Sequence, residues 1–363
     1  MSLRLDVDLG ERGYPILIGP DLLGDPAVLG PVVTARDVLV VTNEVVGPLY
    51  LERVRAGLAG RRVHALALPD GEVHKTLATV GRIFDAMVAA RLNRDACIAA
   101  LGGGVVGDMA GFAAACYQRG VDCVQLPTSL LAQVDSSIGG KTGVNHSAGK
   151  NLIGAFHQPV AVVADTATLA TLPRREFRAG LAEVIKHALI ADLGFLDWLD
   201  NHVEALLALE AGALAFAVQR SCEIKSRLVA ADERERGPRA LLNFGHTFGH
   251  AIETATRYGD WLHGEAVAVG MVLAAGLSGR QGWLARADVE RVKDLLRRAG
   301  LPVAAPGIGA ERALELMGMD KKVLAGRIRL VLLTRLGEAV LTAEYPAEAL
   351  SATLREHFGA GAA

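Results

Sequence analysis

Up to about residue 170, short β-rich runs alternate with segments of helical length, and no other feature constrains the fold as strongly. Residues 38–42, 63–69, 96–101, 123–127 and 160–165 are compact apolar runs of strand length, while 76–91 and 106–117 carry helical spacing. Apolar runs without polar alternation belong to strands covered on both faces, so a parallel sheet with helices on each side is expected. Runs 3–9 and 14–18 predict a small antiparallel edge. From Pro173 the texture changes to Ala-, Leu-, Glu- and Arg-rich stretches, at 178–190, 203–230 and 246–257, that are helical by propensity and period. Runs 327–333 and 339–343, with Gly337 between them, predict one hairpin. The expectation is an α/β Rossmann-like domain over residues 1–172 followed by a mainly α-helical domain over 173–363.

Composition excludes several function classes. A net charge of −2 provides no basic field for nucleic acid, and no run of 18 uncharged apolar residues predicts a membrane span. The four cysteines, Cys97, Cys116, Cys123 and Cys222, form no CxxC pair, and read as reduced thiols of a cytoplasmic protein.

Two turns after strand runs offer ligand contacts. Leu101-Gly102-Gly103-Gly104 opens the helical run that contains Asp108; glycines there let backbone N–H groups and a helix N-terminus approach a pyrophosphate. The spacing is not GxGxxG, so a tight turn without a ligand is the competing reading. In Asp70-Gly71-Glu72-Val73-His74-Lys75, Glu72 is placed to accept from ribose hydroxyls and Lys75 to meet a phosphate.

In the second half, His246 and His250 stand at i and i+4, on one helix face. With His263 and a carboxylate, Glu183, they form a donor set suited to a catalytic Zn²⁺, with Co²⁺, Fe²⁺ or Mn²⁺ as alternatives. This makes the helical domain the candidate metal-binding domain. Spacing alone nominates His246 together with His250, whereas His187 and His202 read as structural histidines. The segment from Asp135 through Lys141, Lys150 and Asn151 reads as a loop that folds over a small anion, anchored by Ile138, Leu152, Ile153 and Phe156. Its Gly140-Lys141-Thr142 is not a P-loop, because Asp135 stands where the leading glycine belongs. Lys225, Arg239, Asn243, Lys321 and Lys322 add further candidate anion contacts.

Taken together, Gly102 through Gly111, Leu126 through Thr142, Gly149 through Gly154, Ala182 through His187, Asn243 through His250 and His263-Gly264-Glu265-Ala266-Val267 resemble the 3-dehydroquinate synthase family, in order along nearly the whole chain. The resemblance implies a lyase of the shikimate pathway, and so of aromatic amino acid biosynthesis, that depends on NAD and zinc. It would convert 3-deoxy-D-arabino-heptulosonate 7-phosphate to 3-dehydroquinate and phosphate, by transient oxidation at C5, phosphate β-elimination, re-reduction, ring opening and intramolecular aldol closure. It implies metal ligands at Glu183, His246 and His263, which moves His250 to the substrate. Catalytic residues would be Lys141, Lys186, Lys225, Asn243 and His250, with substrate contacts at Asp135, Arg119, Lys150, Asn151, Arg239 and one of Lys321 and Lys322. NAD contacts would fall on Glu72, Lys75, Gly103, Gly104, Val105, Asp108, Thr128, Ser129, Thr171 and Leu172. Arg119 matches a residue that the family reaches across a dimer interface, which implies a homodimer.

One position departs from the family: Asn43 stands at the end of an early strand run where an Asp near the adenosine ribose is usual. Rival readings are other sugar-phosphate cyclases, a metal-dependent polyol dehydrogenase that would accumulate NADH, and a non-catalytic NAD sensor that would need no metal. Retention of Lys225, Arg239, Asn243 and His250 favours the dehydroquinate enzyme among the cyclases.

Overall fold

The structure, a computed structural model, describes residues 2–256, 260–318, 323–324 and 327–359. Two compact units are present: Met1–Leu172 with Leu214–Arg234, and Pro173–Ala213 with Glu235–Ala363. Residues 214–234, which a division at 172/173 assigns to the second domain, therefore belong to the first unit.

The first unit is built on strands β1 (Leu3–Val7), β2 (Tyr14–Gly19), β3 (Asp37–Asn43), β4 (Arg62–Leu68), β5 (Cys97–Gly102), β6 (Asp122–Pro127) and, after the hairpin β7 (Lys141–His146) and β8 (Gly149–Phe156), β9 (Ala161–Asp165). Seven of them form one sheet in the order β1-β2-β9-β6-β5-β3-β4. Only β1 pairs antiparallel, with β2, as the edge runs predicted; the other ladders are parallel. Helices α1 (Pro26–Val32) and α2 (Gly47–Gly57) bury Leu29, Tyr50 and Val54 in one core cluster. Helices α3 (Leu77–Ala89) and α4 (Gly104–Cys116) bury Ile83, Met87, Met109 and Ala113 in another. Strands β3 and β5 supply both clusters, one from each face, because successive side chains alternate across the sheet. Chain order reverses at β3, and in such sheets the crevice at the carboxyl ends beside the reversal is where ligands bind.

The predicted anion loop is instead an antiparallel hairpin, β7 with β8. Ile138 is buried and Ile153 packs on the core, but Leu152 and Phe156 are 41% and 48% exposed. A two-residue period explains the split: 152, 154 and 156 share the face opposite to 153.

The second unit holds α5 (Arg174–Ala191), α6 (Leu193–Leu207), α8 (His246–Ala255), α9 (His263–Arg280), α10 (Arg286–Arg298), α11 (Ala310–Gly318) and α12 (Ala347–Phe358), with the short pair β10 (Val323–Leu324) and β11 (Arg327–Ile328) and the hairpin β12 (Leu330–Arg335) and β13 (Glu338–Thr342). Helix α7 (Ala211–Ala231) places its residues from Leu214 onward in the first unit. The predicted helical stretch 203–230 is thus two helices: α6 is followed by Leu209 at φ +60°, a left-handed conformation that a helix cannot continue through. Among the described residues, no helix is long and apolar enough to cross a membrane.

Candidate functional site

Three helices of the second unit converge on one group of donors. Glu183 lies mid-way along α5, His246 is the first residue of α8 and His263 the first of α9. Their ligand atoms all lie within 4.8 Å of one another. The Nε2 atoms of His246 and His263 are each 3.8 Å from Oε1 of Glu183. Small residues allow this approach. A Cβ on Gly264 would come 1.9 Å from the Ala179 carbonyl oxygen, so only glycine lets α9 start against α5. Gly245, at φ +78°, turns the chain into α8 where a Cβ would meet Met271 and the Val267 carbonyl at 2.8 Å.

Glu183 is fully buried. Lys186, also buried and one turn further along α5, forms an ion pair with its Oε2, yet neither carboxylate oxygen accepts a well-aligned hydrogen bond. A buried carboxylate without hydrogen bonds is costly, and a cation among these donors would satisfy it. The second unit also contains buried Arg239 and half-buried Asn243 and His250. Asn243 donates to Glu235 at 2.6 Å. The His250 ring stands 5.7 Å from that of His246 and 6.3 Å from that of His263, outside the close donor group. His202 stacks on Trp198 at 4.3 Å and His187 is fully buried, as structural histidines would be.

In the first unit the carboxyl ends of the central strands carry the other candidates. Strand β5 ends at Gly102 and α4 begins at Gly104; the Thr128 N–H at the end of β6 donates to the Gly102 carbonyl at 3.0 Å. A Cβ on Gly104 would stand 2.8 Å from Ser136 Oγ, and one on Gly103 3.4 Å from Ser129 Oγ, so the turn is open only because glycines occupy it. Lys75, nearly buried, donates to Asp108 at 2.5 Å and to Asn151 at 2.6 Å. Burial raises the Asp108 carboxyl above the usual carboxylate range, against the pull of Lys75. Glu72 accepts from Asn145 at 2.8 Å and the Lys75 carbonyl accepts from the Asn145 N–H at 2.9 Å, so three hydrogen bonds, with that of Lys75 to Asn151, tie the Glu72–Lys75 turn to the β7–β8 hairpin. Lys225 on α7 is ion-paired with Asp135 and donates to its backbone carbonyl at 2.6 Å. Lys141 and Arg119 are exposed and Lys150 half-buried. Thr171 hydrogen-bonds the Tyr50 hydroxyl at 2.5 Å, next to Leu172 at the end of the unit's main segment. Asn43 donates to Asp70 at 2.5 Å and accepts from the Val46 N–H at 2.7 Å, which couples the ends of β3 and β4. Lys321 and Lys322 lie outside the described residues.

Sequence reasoning missed two polar residues. Gln133, fully buried, donates to the Pro127 and Asp165 carbonyls and ties the ends of β6 and β9 together. Glu253, 2% exposed, places Oε2 3.3 Å from His263 Nδ1. Glu253 follows His246 by seven residues, two helical turns, so helical periodicity could have found it.

Comparison with known proteins assigns the chain to a family. Residues 65–179 match the family 3-dehydroquinate synthase N-terminal, and residues 180–323 match 3-dehydroquinate synthase C-terminal. The chain is 61% identical over 351 residues to 3-dehydroquinate synthase of Azotobacter vinelandii, covering 96% of each. Its fold is similar to that of 2-epi-5-epi-valiolone synthase from Streptomyces hygroscopicus, solved with NAD⁺ and Zn²⁺ bound: TM-score 0.87 and 32% identity, over 94% of this chain and 96% of that one. It is similar also to 2-deoxy-scyllo-inosose synthase complexed with carbaglucose-6-phosphate, NAD⁺ and Co²⁺, at TM-score 0.88 and 27% identity, over 98% and 100%. With both halves matched in order and three-fifths of positions identical over nearly the whole length, the chain belongs to the 3-dehydroquinate synthase family.

Proposed function

We propose that the protein converts 3-deoxy-D-arabino-heptulosonate 7-phosphate to 3-dehydroquinate and inorganic phosphate, with NAD and one divalent metal ion, Zn²⁺ or Co²⁺, as its cofactors. The observation that carries this reading is the buried Glu183 carboxylate, without a well-aligned hydrogen bond, facing two histidine Nε2 atoms. One oxygen and two nitrogen donors leave a catalytic metal with an open position. The glycine turn fits the dinucleotide: a Cβ on Gly104 would fill the space before α4, whose N-terminus suits a pyrophosphate. Glu183, His246 and His263 hold the metal; Glu72, Lys75, Gly103, Gly104, Val105, Asp108, Thr128, Ser129, Thr171 and Leu172 border the dinucleotide.

Bound there, the metal supplies Lewis-acid polarisation of a hydroxyl, and NAD supplies a reversible hydride acceptor. The chain's own residues bind and orient. Lys186 is buried and ion-paired with Glu183, where the low dielectric strengthens any contact it makes with an anionic substrate oxygen. Arg239, Asn243 and His250 offer donors to the carboxylate and hydroxyls of the substrate. In the first unit, Asp135 holds the Lys225 ammonium in place. Lys141, Lys150 and Asn151 bring cationic and amide donors to the hairpin, where a phosphate can be held. Donors fixed in this way lower the barrier by orientation. A homodimer follows from the family reading, with Arg119 exposed beside Gly120 and available to a second copy. Cytoplasmic residence is supported by the four cysteines, all unpaired.

Turnover of the heptulosonate phosphate, scored by released phosphate and a cyclised product, tests the assignment. A hexose 6-phosphate turned over in its place would assign the chain to another sugar-phosphate cyclase activity.

A further inference from the structure

We propose that Glu253 is a positioning residue of the metal centre: its carboxylate accepts from Nδ1 of the His263 imidazole and so turns Nε2 toward Glu183 and the ion. The inference rests on the metal reading of Glu183, His246 and His263, and its experiment separates the two.

The two histidines of the donor group are held in the same way by different acceptors. Nδ1 of His246 lies 3.1 Å from the Phe244 carbonyl oxygen, and Nδ1 of His263 lies 3.3 Å from Oε2 of Glu253. A carbonyl and a carboxylate oxygen accept hydrogen bonds and donate none, so both Nδ1 atoms carry the proton. In the neutral ring each Nε2 is then the lone-pair nitrogen, and each Nε2 is the atom 3.8 Å from Glu183. The two acceptors orient both rings.

The two acceptors differ in kind. Phe244 sits two residues before His246, so the turn into α8 provides its carbonyl locally. His263 opens α9 and is one-third exposed, and the carboxylate that holds it comes from a different helix, α8. Glu253 itself is 2% exposed. A carboxylate is rarely buried to this degree without a partner, and an imidazole made more basic by a carboxylate is a stronger metal ligand. His246 and Glu253 lie two turns apart on α8, so one helix provides a ligand and the orienting group of a second ligand.

The test is metal affinity, measured by chelator competition with Zn²⁺ and Co²⁺ on the full-length protein, for the wild type, Glu253→Gln and Glu253→Leu. Gln keeps an acceptor but loses the charge, and Leu loses both. Affinity should fall roughly tenfold for Gln and roughly 100-fold for Leu, the range seen when outer partners of metal-bound histidines are removed. The visible spectrum of the Co²⁺ form should change in both, which a purely structural role would not produce. Wild-type affinity and an unchanged Co²⁺ spectrum in both variants would overturn the inference and leave the metal site standing. A wild-type protein that binds neither ion would overturn the metal reading itself. Where a variant does not fold, nitrogen-15 spectra of the histidines in the metal-loaded wild type decide. A protonated Nδ1 and a metal-bound Nε2 on His263 support the inference; a metal-bound Nδ1 contradicts it.

Discussion

At the scale of single residues, chemistry follows from what each side chain is denied. Glu183 is removed from water without a well-aligned hydrogen bond, which is why a cation belongs beside it. His246→Ala removes one of the three proposed ligands, and metal affinity should fall by roughly 100-fold or more, beyond the loss of an outer partner, with turnover lost alongside; chelator competition and a phosphate assay measure both. The cysteines are the converse case. Burial pushes the Cys123 and Cys222 thiols up to about 12, and Cys97 is pushed up by the same cause. Cys116 alone of the four is exposed, so a thiol reagent should titrate one group in the native protein and four after denaturation. Sequence spacing identified His246 but paired it with His250, because an i,i+4 pattern reports a shared face and not the distance to a third helix. The family resemblance moved His250 away from the metal. In the structure the His250 ring lies 6.3 Å from that of His263, and Glu183 and His263 complete the close donor group with His246.

At the scale of elements, close helix contacts hold the donor group together. Gly264→Ala forces a methyl group into the Ala179 carbonyl, and the start of α9 must move away from α5, carrying His263 with it. Such overpacking costs about 1–3 kcal/mol or more, so thermal unfolding should occur at a lower temperature and metal affinity should fall with it. The helix pair α6–α10 provides a pH test. Hydrogen bonding to the Arg298 guanidinium holds the Glu204 carboxyl below the usual glutamate range. A depressed native pKa means that this stabilisation is present above the ordinary glutamate value and is lost as pH falls through the lowered one. The pair is solvent-exposed, so the effect is small, and Arg298→Ala should lose more stability at neutral pH than at acid pH, where only its bond to the Asp200 carbonyl remains to be lost, as read by urea midpoints. Strands β3, β5, β6 and β9 were legible because strands buried on both faces are apolar without interruption, whereas the run 63–69, expected to be covered in the same way, forms the sheet-edge strand β4 and is partly exposed. The hairpin Lys141–His146 with Gly149–Phe156 was not legible as strands, because its polar residues and glycines hide the alternation. The break after Leu207 was invisible for another reason: Ala, Leu and Glu continue through it, and only the left-handed Leu209 marks it.

At the scale of the whole molecule, the chain divides into a parallel α/β unit and a mainly helical unit, and helix α7 returns residues 214–234 to the first. Composition changes at Pro173, which made that junction legible, but nothing in the composition of α7 shows which core it joins. The α/β unit carries a glycine turn at the end of β5, and Gly104→Ala tests its role: the added methyl group meets Ser136 Oγ, a side chain that can rotate away, so folding should persist while NAD binding weakens roughly tenfold by loss of close backbone approach, as read by calorimetry. The helical unit carries the candidate metal donors. In the proposed reaction a dinucleotide and a metal ion are used on one phosphorylated substrate without net oxidation. The most direct measurement follows released phosphate and NADH absorbance together, during turnover of 3-deoxy-D-arabino-heptulosonate 7-phosphate, with and without a metal chelator. The prediction is stoichiometric phosphate with no net NADH, abolished by the chelator and restored by Zn²⁺ or Co²⁺; accumulation of NADH, or phosphate release unaffected by metal removal, would contradict the account.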